Sequence, residues 1–322
     1  LHKGTECEPE NRKYRNMSIR KIVLSLSLLS LLAFPAQLSS QTSGKVEPLF
    51  EYPQVPDKLT KVNMRSNYMV EHLWDKCRLD KDPISNLESF HETFTDYLSF
   101  FVLADRNVIE KSIERYVDKV SKNADNLNLT IGVLNAEVLN IRSQYCSDDV
   151  YQIFAKYLLE NKRVPDDLKE RVKANVKVLS NSAVGTVMGD MPLVKSPTEA
   201  TTLYGLTPEF TLLFFNAEGN IDSSIYKVRL SANLAVNNLI SAGVLAIVSV
   251  LPDGEGLEEK AAAEPNNWNV GRLADYSNVY DMRIVPTVYL LDKEKKIIEK
   301  FLQVDQALQI FEGIEYSKNN KQ

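Results

Sequence analysis

The residues able to do chemistry in this 322-residue chain are few: three cysteines and three histidines. Cys7 precedes an apolar leader-like run and would be lost with it, which leaves Cys77 and Cys146. In an oxidising compartment an even pair reads first as a structural disulfide. Two buried thiols, or a reactive pair, are the alternatives, and the last needs a close redox motif that the spacing does not supply. A bond between them also requires Cα atoms within ~7 Å. His72 and His91 are too few for a histidine-based triad or a zinc site. His91, beside Phe90 and Phe94, reads as a partly exposed helix residue. Asp253-Gly254-Glu255-Gly256 is a turn and not a phosphate-cradling loop, since no Lys-Ser/Thr follows it. Asn128-Leu129-Thr130 fits a glycosylation acceptor pattern. These readings imply no metal and no cofactor. The net charge of −5, with no basic cluster beyond the leader, implies no nucleic-acid partner.

Ahead of these residues, Arg20 and Lys21 precede the apolar run Ile22 to Phe34, followed by Pro35, Ala36 and a polar stretch. That is the order of a secretory signal peptide. About a dozen apolar residues fall short of the ~20 that span a bilayer. The expected organisation is an upstream extension over 1–16, a signal peptide over 17–40 and a proline-containing linker over 41–65. The mature chain then works in the periplasm with no membrane span, an uncleaved anchor being the alternative.

Two patterns divide the remainder. Over 66–181, Phe90, Phe94, Tyr97 and Phe101 recur at helical spacing. So do Ile109, Ile113, Tyr116 and Val120, with charged faces between. Helices are expected over 66–77, 86–103, 106–122, 126–144 continuing at 148–161, and 166–180, forming an all-α bundle with the aromatic stripes as its core. Over 182–322 the period changes. Leu212 to Phe215, Val244 to Leu251, Val288 to Leu291 and Ile297 to Leu302 read as strands, the first two buried on both faces. A helix is expected from Ser223 to Ala242 and another over Val304 to Ile314. The fold class is thus two-domain α+β: a helical bundle followed by an α/β domain.

Within the second part, Leu212-Leu213-Phe214-Phe215-Asn216, Val244 to Val250, Asn266-Asn267-Trp268, Tyr280 to Thr287 and Val288-Tyr289-Leu290-Leu291-Asp292 stand in an order that resembles the thioredoxin-like domains of exported proteins of the TlpA/ResA type. Gly185 to Pro192 resembles the lead-in strand of these domains. The helical part, through His72-Leu73-Trp74-Asp75 and Phe94-Thr95-Asp96-Tyr97, resembles an uncharacterised domain that often precedes such domains in secreted proteins of the Bacteroides group. The resemblance implies a thioredoxin-like fold with Pro286 as its cis-proline, and a backbone at Val285 able to pair with an extended peptide. It also implies a Cys-x-x-Cys at a helix N-terminus, where the dipole lowers the thiol pKa. Here that turn reads Gly219-Asn220-Ile221-Asp222. Gly219 and Asp222 fall at the cysteine positions, and Asp222 or Ser223 is available to cap the helix.

The expected function is therefore a periplasmic binding module, redox-inactive at the usual site and not acting as an enzyme there, that holds an envelope protein or peptide. The alternative is a thiol-disulfide oxidoreductase using Cys77 and Cys146.

Overall fold

The computed structural model describes residues 46–274 and 279–320. The leader expected over 17–40, and Cys7, lie outside them. The described residues form two compact units, one running to Ser180 and the other starting at Asn181.

The first unit is helical: α1 Val62–His72, α2 Leu87–Ser99, α3 Arg106–Val120, α4 Ala124–Val133, α5 Asp148–Glu160 and α6 Asp166–Asn181, whose last residue opens the second unit. Three of these helices, α2, α4 and α5, begin where a polar side chain takes up free N–H groups. Asn86 accepts from Ser89, Asn123 from Asp125 and Asn126, and Ser147 from Val150. The aromatic stripe of α2 does form the core. Phe90, Phe94 and Tyr97 are buried with Trp74, Tyr116 and Phe154, and the Trp74 ring lies 4.9 Å from that of Tyr116 and 5.7 Å from that of Tyr97. Such tilted and edge-on contacts suit the ring quadrupoles. The buried hydroxyls are paired, Tyr97 with Ser112 at 2.7 Å and Tyr116 with Thr130 at 2.8 Å. The helix expected over 126–144 leaves the α form at Val133 and widens into a π turn, Leu134–Val138, closed by the Leu139 N–H donating to the Leu134 carbonyl at 3.0 Å. Part of the expected linker is docked on the bundle: Leu49 N–H donates to Thr93 Oγ1 at 2.9 Å, Tyr52 OH donates to Asp96 at 2.7 Å, and Phe50 and Val55 pack on the core.

The disulfide expected between Cys77 and Cys146 is not formed. The turn after α1 that carries Cys77 is anchored by Asn126, whose amide donates to the carbonyls of Leu79 and Asp82 at 2.8 and 2.9 Å. The turn that carries Cys146 is anchored by Ser147 N–H on the Val138 carbonyl at 3.0 Å. Asn126 and Val138 stand at opposite ends of one helical segment, ~18 Å of helical rise apart.

The second unit is a six-stranded mixed sheet in the order β1-β4-β3-β2-β5-β6. The strands are β1 Leu193–Lys195, β2 Phe210–Phe215, β3 Leu245–Pro252, β4 Asn269–Leu273, β5 Thr287–Leu291 and β6 Ile297–Lys300, with helices α7 Ile221–Ala232, α8 Leu234–Ser241, α9 Leu257–Ala262 and α10 Val304–Asn319. β3 runs parallel to both β2 and β4, and the other pairs are antiparallel. Alternate residues serve opposite faces. Leu212, Phe214, Ile247 and Leu290 pack with Tyr226, Leu239 and Phe311, whereas Leu213, Phe215, Val248 and Tyr289 pack with Met188, Met191 and Leu203.

Three expectations change. The stretch expected as one helix from Ser223 starts at Ile221 and is two helices, because Asn233 turns to an extended backbone and its side chain accepts from the Val236 N–H. The expected lead-in strand Gly185 to Pro192 contributes only isolated bridges, Val187 to Lys296 and Pro192 to Thr202, and the strand proper follows at Leu193. β4 has no counterpart in the apolar pattern. Among the described residues, no helix is long and apolar enough to cross a membrane.

Candidate functional site

The site is built where β2 runs into α7. After Phe215 the chain turns through Asn216 to Asn220. Gly219 takes a left-handed backbone, φ +74°, which a glycine adopts without a Cβ clash. Asn220 then caps α7, its side chain accepting the Ser223 N–H at 2.8 Å, and the buried Ser223 hydroxyl accepts the Ala217 N–H at 3.3 Å. The cap expected from Asp222 or Ser223 is therefore supplied by Asn220, because the helix begins earlier. The cap and the third helical position, the two places that face the free N–H groups, are Asn220 and Ser223, one residue beyond Gly219 and Asp222. Gly219 precedes the helix and Asp222 is exposed on it.

β5 runs beside this turn. Phe215 is opposite Thr287 in the antiparallel ladder. Val285 and Pro286 immediately precede that last pair, so they lie in the bend at the end of β5 next to the point where β2 leaves the sheet. The Val285–Pro286 peptide is cis, and Val285 is 45% exposed. The loop leading into it is held from below. Tyr289 OH donates to the Asp281 carbonyl at 2.7 Å, and the Asp281 N–H donates to Ser182 Oγ at 2.8 Å. The fully buried Asp281 carboxylate accepts from Arg283 at 2.8 and 2.6 Å and from Lys300 at 3.0 Å. A carboxylate taken out of water needs such partners.

A second buried carboxylate braces the other side. Glu264, in the loop after α9, accepts Lys227 Nζ of α7 at 2.5 Å and the Asn216 amide at 3.2 Å. It thereby ties the turn, the helix and the loop together. Sequence reasoning missed Asn216, Lys227 and Glu264. They lie 37 and 48 positions apart along the chain, and no motif joins them. Above them, Lys260 pairs with Glu218 of the turn at 2.7 Å.

The other chemistry-bearing residues lie in the helical unit. Burial pushes the Cys77 thiol up to about 11, so it stays protonated and weakly nucleophilic near neutrality. His72 Nδ1 is 2.8 Å from Asp75 Oδ2. His91 Nε2 is 2.8 Å from one oxygen of Glu137, whose other oxygen accepts the Ser143 hydroxyl at 2.5 Å. The carboxylate sits between the other two, so the imidazole is not placed to activate the serine as a triad requires. Among the described residues no three metal-ligating side chains converge.

The family model for the domain of unknown function DUF5106 matches residues 27–182. A search of curated proteins finds no match. Among solved structures, a thioredoxin-like protein from Bacteroides caccae is 19% identical, superposes with a TM-score of 0.65, and matches 83% of this chain and 99% of its own. This likeness shows the fold: a helical part followed by a thioredoxin-like part. The C-terminal domain of an uncharacterized protein from Bacteroides fragilis is 27% identical over 41% of this chain and 99% of its own, with a TM-score of 0.36. The thioredoxin domain of a thiol-disulfide oxidoreductase from Bacteroides vulgatus is 22% identical over 41% and 97%, with a TM-score of 0.34.

Proposed function

We propose that this is an exported, periplasmic thioredoxin-like binding module of the TlpA/ResA type, redox-inactive at the usual site, that holds an extended peptide or partner segment along the Val285–Pro286 edge. The observation that carries this reading is the register at the sheet's centre. β5 starts at Thr287 opposite Phe215, two residues after the exposed Val285, and the helix that follows β2 is capped by Asn220 with Ser223 in its first turn, neither of which bears a thiol; this supports the reading. An amide and a hydroxyl can accept and donate hydrogen bonds but can neither form a disulfide nor carry a thiolate. Main-chain pairing at the edge would supply affinity without sequence readout, and flanking side chains would supply selectivity. The buried Glu264–Lys227 and Asp281–Arg283–Lys300 groups would serve as braces that keep turn and edge in register.

Two measurements test the proposal. Insulin reduction by dithiothreitol, followed by turbidity, is expected to run at the background rate with the protein present; acceleration would overturn redox inactivity. Hydrogen–deuterium exchange with a neutral serine–valine dodecapeptide is expected to show protection at residues 284–287. Unchanged exchange there at saturating peptide would remove the edge as a binding site.

A further inference from the structure

Resting on that reading, we infer that the segment held is aliphatic and basic, and that it continues from the Val285 edge onto the outer face of α7. The first observation is apolar. Ile221, Ile225 and Val228 follow one another at spacings of four and three, so they share one helix face. They are 76%, 46% and 64% exposed. The buried face of the same helix is Ser223, Tyr226 and Leu230, so this stripe is a second apolar face that the sheet unit leaves uncovered. Scattered exposed aliphatics are ordinary, but a contiguous stripe beginning at the first residue of the capped helix is not. Phe215, which leads into the turn before Ile221, pairs with Thr287, two residues after Val285, so edge and stripe start from the same pair of strand ends.

The second observation is charge. The turn and the first residues of α7 carry exposed Glu218 and Asp222, and the segment from the end of β3 into α9 carries exposed Asp253, Glu255, Glu258 and Glu259. Lys260 pairs with Glu218 at 2.7 Å and so ties the acidic loop and α9 to the turn. Arg272 approaches Asp253 at 4.0 Å. The other cations of α7, of the Val285 loop and of β6 are matched to further acids, Lys227 to Glu264, Arg229 to Asp305, and Arg283 and Lys300 to Asp281, so Asp222, Glu255, Glu258 and Glu259 make the negative surplus. A surplus of one sign beside an apolar path selects a partner of the opposite sign, through faster encounter and through rejection of like charge. Lysine or arginine residues alternating with valine, leucine or isoleucine meet both requirements, because in an extended segment alternate side chains point opposite ways.

The test uses the whole protein and three fluorescein-labelled dodecapeptides, alternating valine with lysine, serine or glutamate, read by fluorescence anisotropy. The lysine peptide is expected to bind at least tenfold tighter than the serine peptide, which binds tighter than the glutamate peptide. Its advantage should shrink between 50 and 500 mM salt, since exposed charges are screened. Ile225→Asp is expected to weaken the lysine peptide at least tenfold, and Glu255→Lys with Glu259→Lys to erase its advantage over serine. Equal affinity for all three peptides, each weakened by Val285→Pro, which removes a backbone donor, would overturn the charge inference and leave the edge reading standing. Selectivity for lysine with Ile225→Asp silent would overturn the α7 path. Binding indifferent to Val285→Pro, or no binding by any peptide, would overturn both readings.

Discussion

The two units differ in what they bury. Among the described residues of the helical unit, the enclosed polar ones are all neutral: Ser66, Ser89, Thr93, Thr95, Ser112, Ser121, Asn126 and Thr130. Several are satisfied locally, as where Thr130 Oγ1 donates to the Asn126 carbonyl at 2.9 Å and Ser121 Oγ to that of Val117 at 2.6 Å. Among its described residues the sheet unit instead encloses three charged ones, Glu264, Asp281 and Lys295. Hydroxyls can be buried at little net cost once bonded. A charge withdrawn from water is expensive and is often no better than an apolar substitute. Two of the three charges bracket the turn and the edge assigned to binding. The contrast suggests that the helical unit is organised for packing and the strand ends of the sheet unit for holding a geometry.

The comparison can be broken at several points. The largest effect is expected in the aromatic core: Phe94→Ala should lower stability by ~3–5 kcal/mol. The chain has two tryptophans, Trp74 and Trp268, one in each unit, so urea unfolding in a Trp268→Phe background reports this change through Trp74. Next, Lys227→Met leaves Glu264 buried without its cation and should cost ~3 kcal/mol in the transition reported by Trp268. Adding Glu264→Leu should recover most of it, as for other buried pairs replaced whole. A double variant no better than the single one would mean that the pair is a net stabiliser and not a positioning device.

Lys295 sharpens the contrast through pH. Its ammonium is buried against the Leu206 carbonyl at 2.9 Å and Thr211 Oγ1 at 3.2 Å, and burial holds its pKa below the lysine range. The unfolded chain therefore binds this proton more tightly than the folded one. Stability should rise with pH between the lowered folded value and the ordinary value of about 10.4. Lys295→Met should flatten that rise in urea unfolding measured from pH 8 to 10.5. The smallest effect belongs to the cysteines. Cys146→Ser should leave the melting temperature unchanged with or without dithiothreitol, whereas loss of a real disulfide would cost ~2–5 kcal/mol.

Much of the architecture was legible from periodicity. The aromatic spacing of α2 and the apolar runs of β2, β3 and β5 each declared a buried face, and Pro286 stands at the cis peptide that the resemblance implied. What escaped depended on contacts. β4 did not read as a strand because it carries Gly271 and Arg272, and the glycine is required by its neighbours: a Cβ there would lie 2.9 Å from Met191 Sδ and 3.2 Å from Val248 Cγ1. The helix break at Asn233 had a local signal, an asparagine suited to capping, that the surrounding apolar pattern concealed. The Glu264 brace had none, since an isolated glutamate in a polar loop looks like any solvated one. The cysteine pair failed for the opposite reason: an even count suggests a bond, but the turns that carry the two residues are anchored at opposite ends of a helical segment.

The strand order has one more consequence, for a chain that emerges N-terminus first. The helical unit is complete once α6 has appeared, built from neighbours in sequence. β2, whose six residues are all buried, meets β3 soon afterwards. Its other edge stays open until β5 arrives near the end of the chain. During that interval a wholly apolar strand presents unpaired backbone groups, the kind of surface on which chains stick to one another. A stalled or clipped product ending before Thr287 would keep that edge exposed for good, so aggregation, more than loss of binding, should be the mark of truncation.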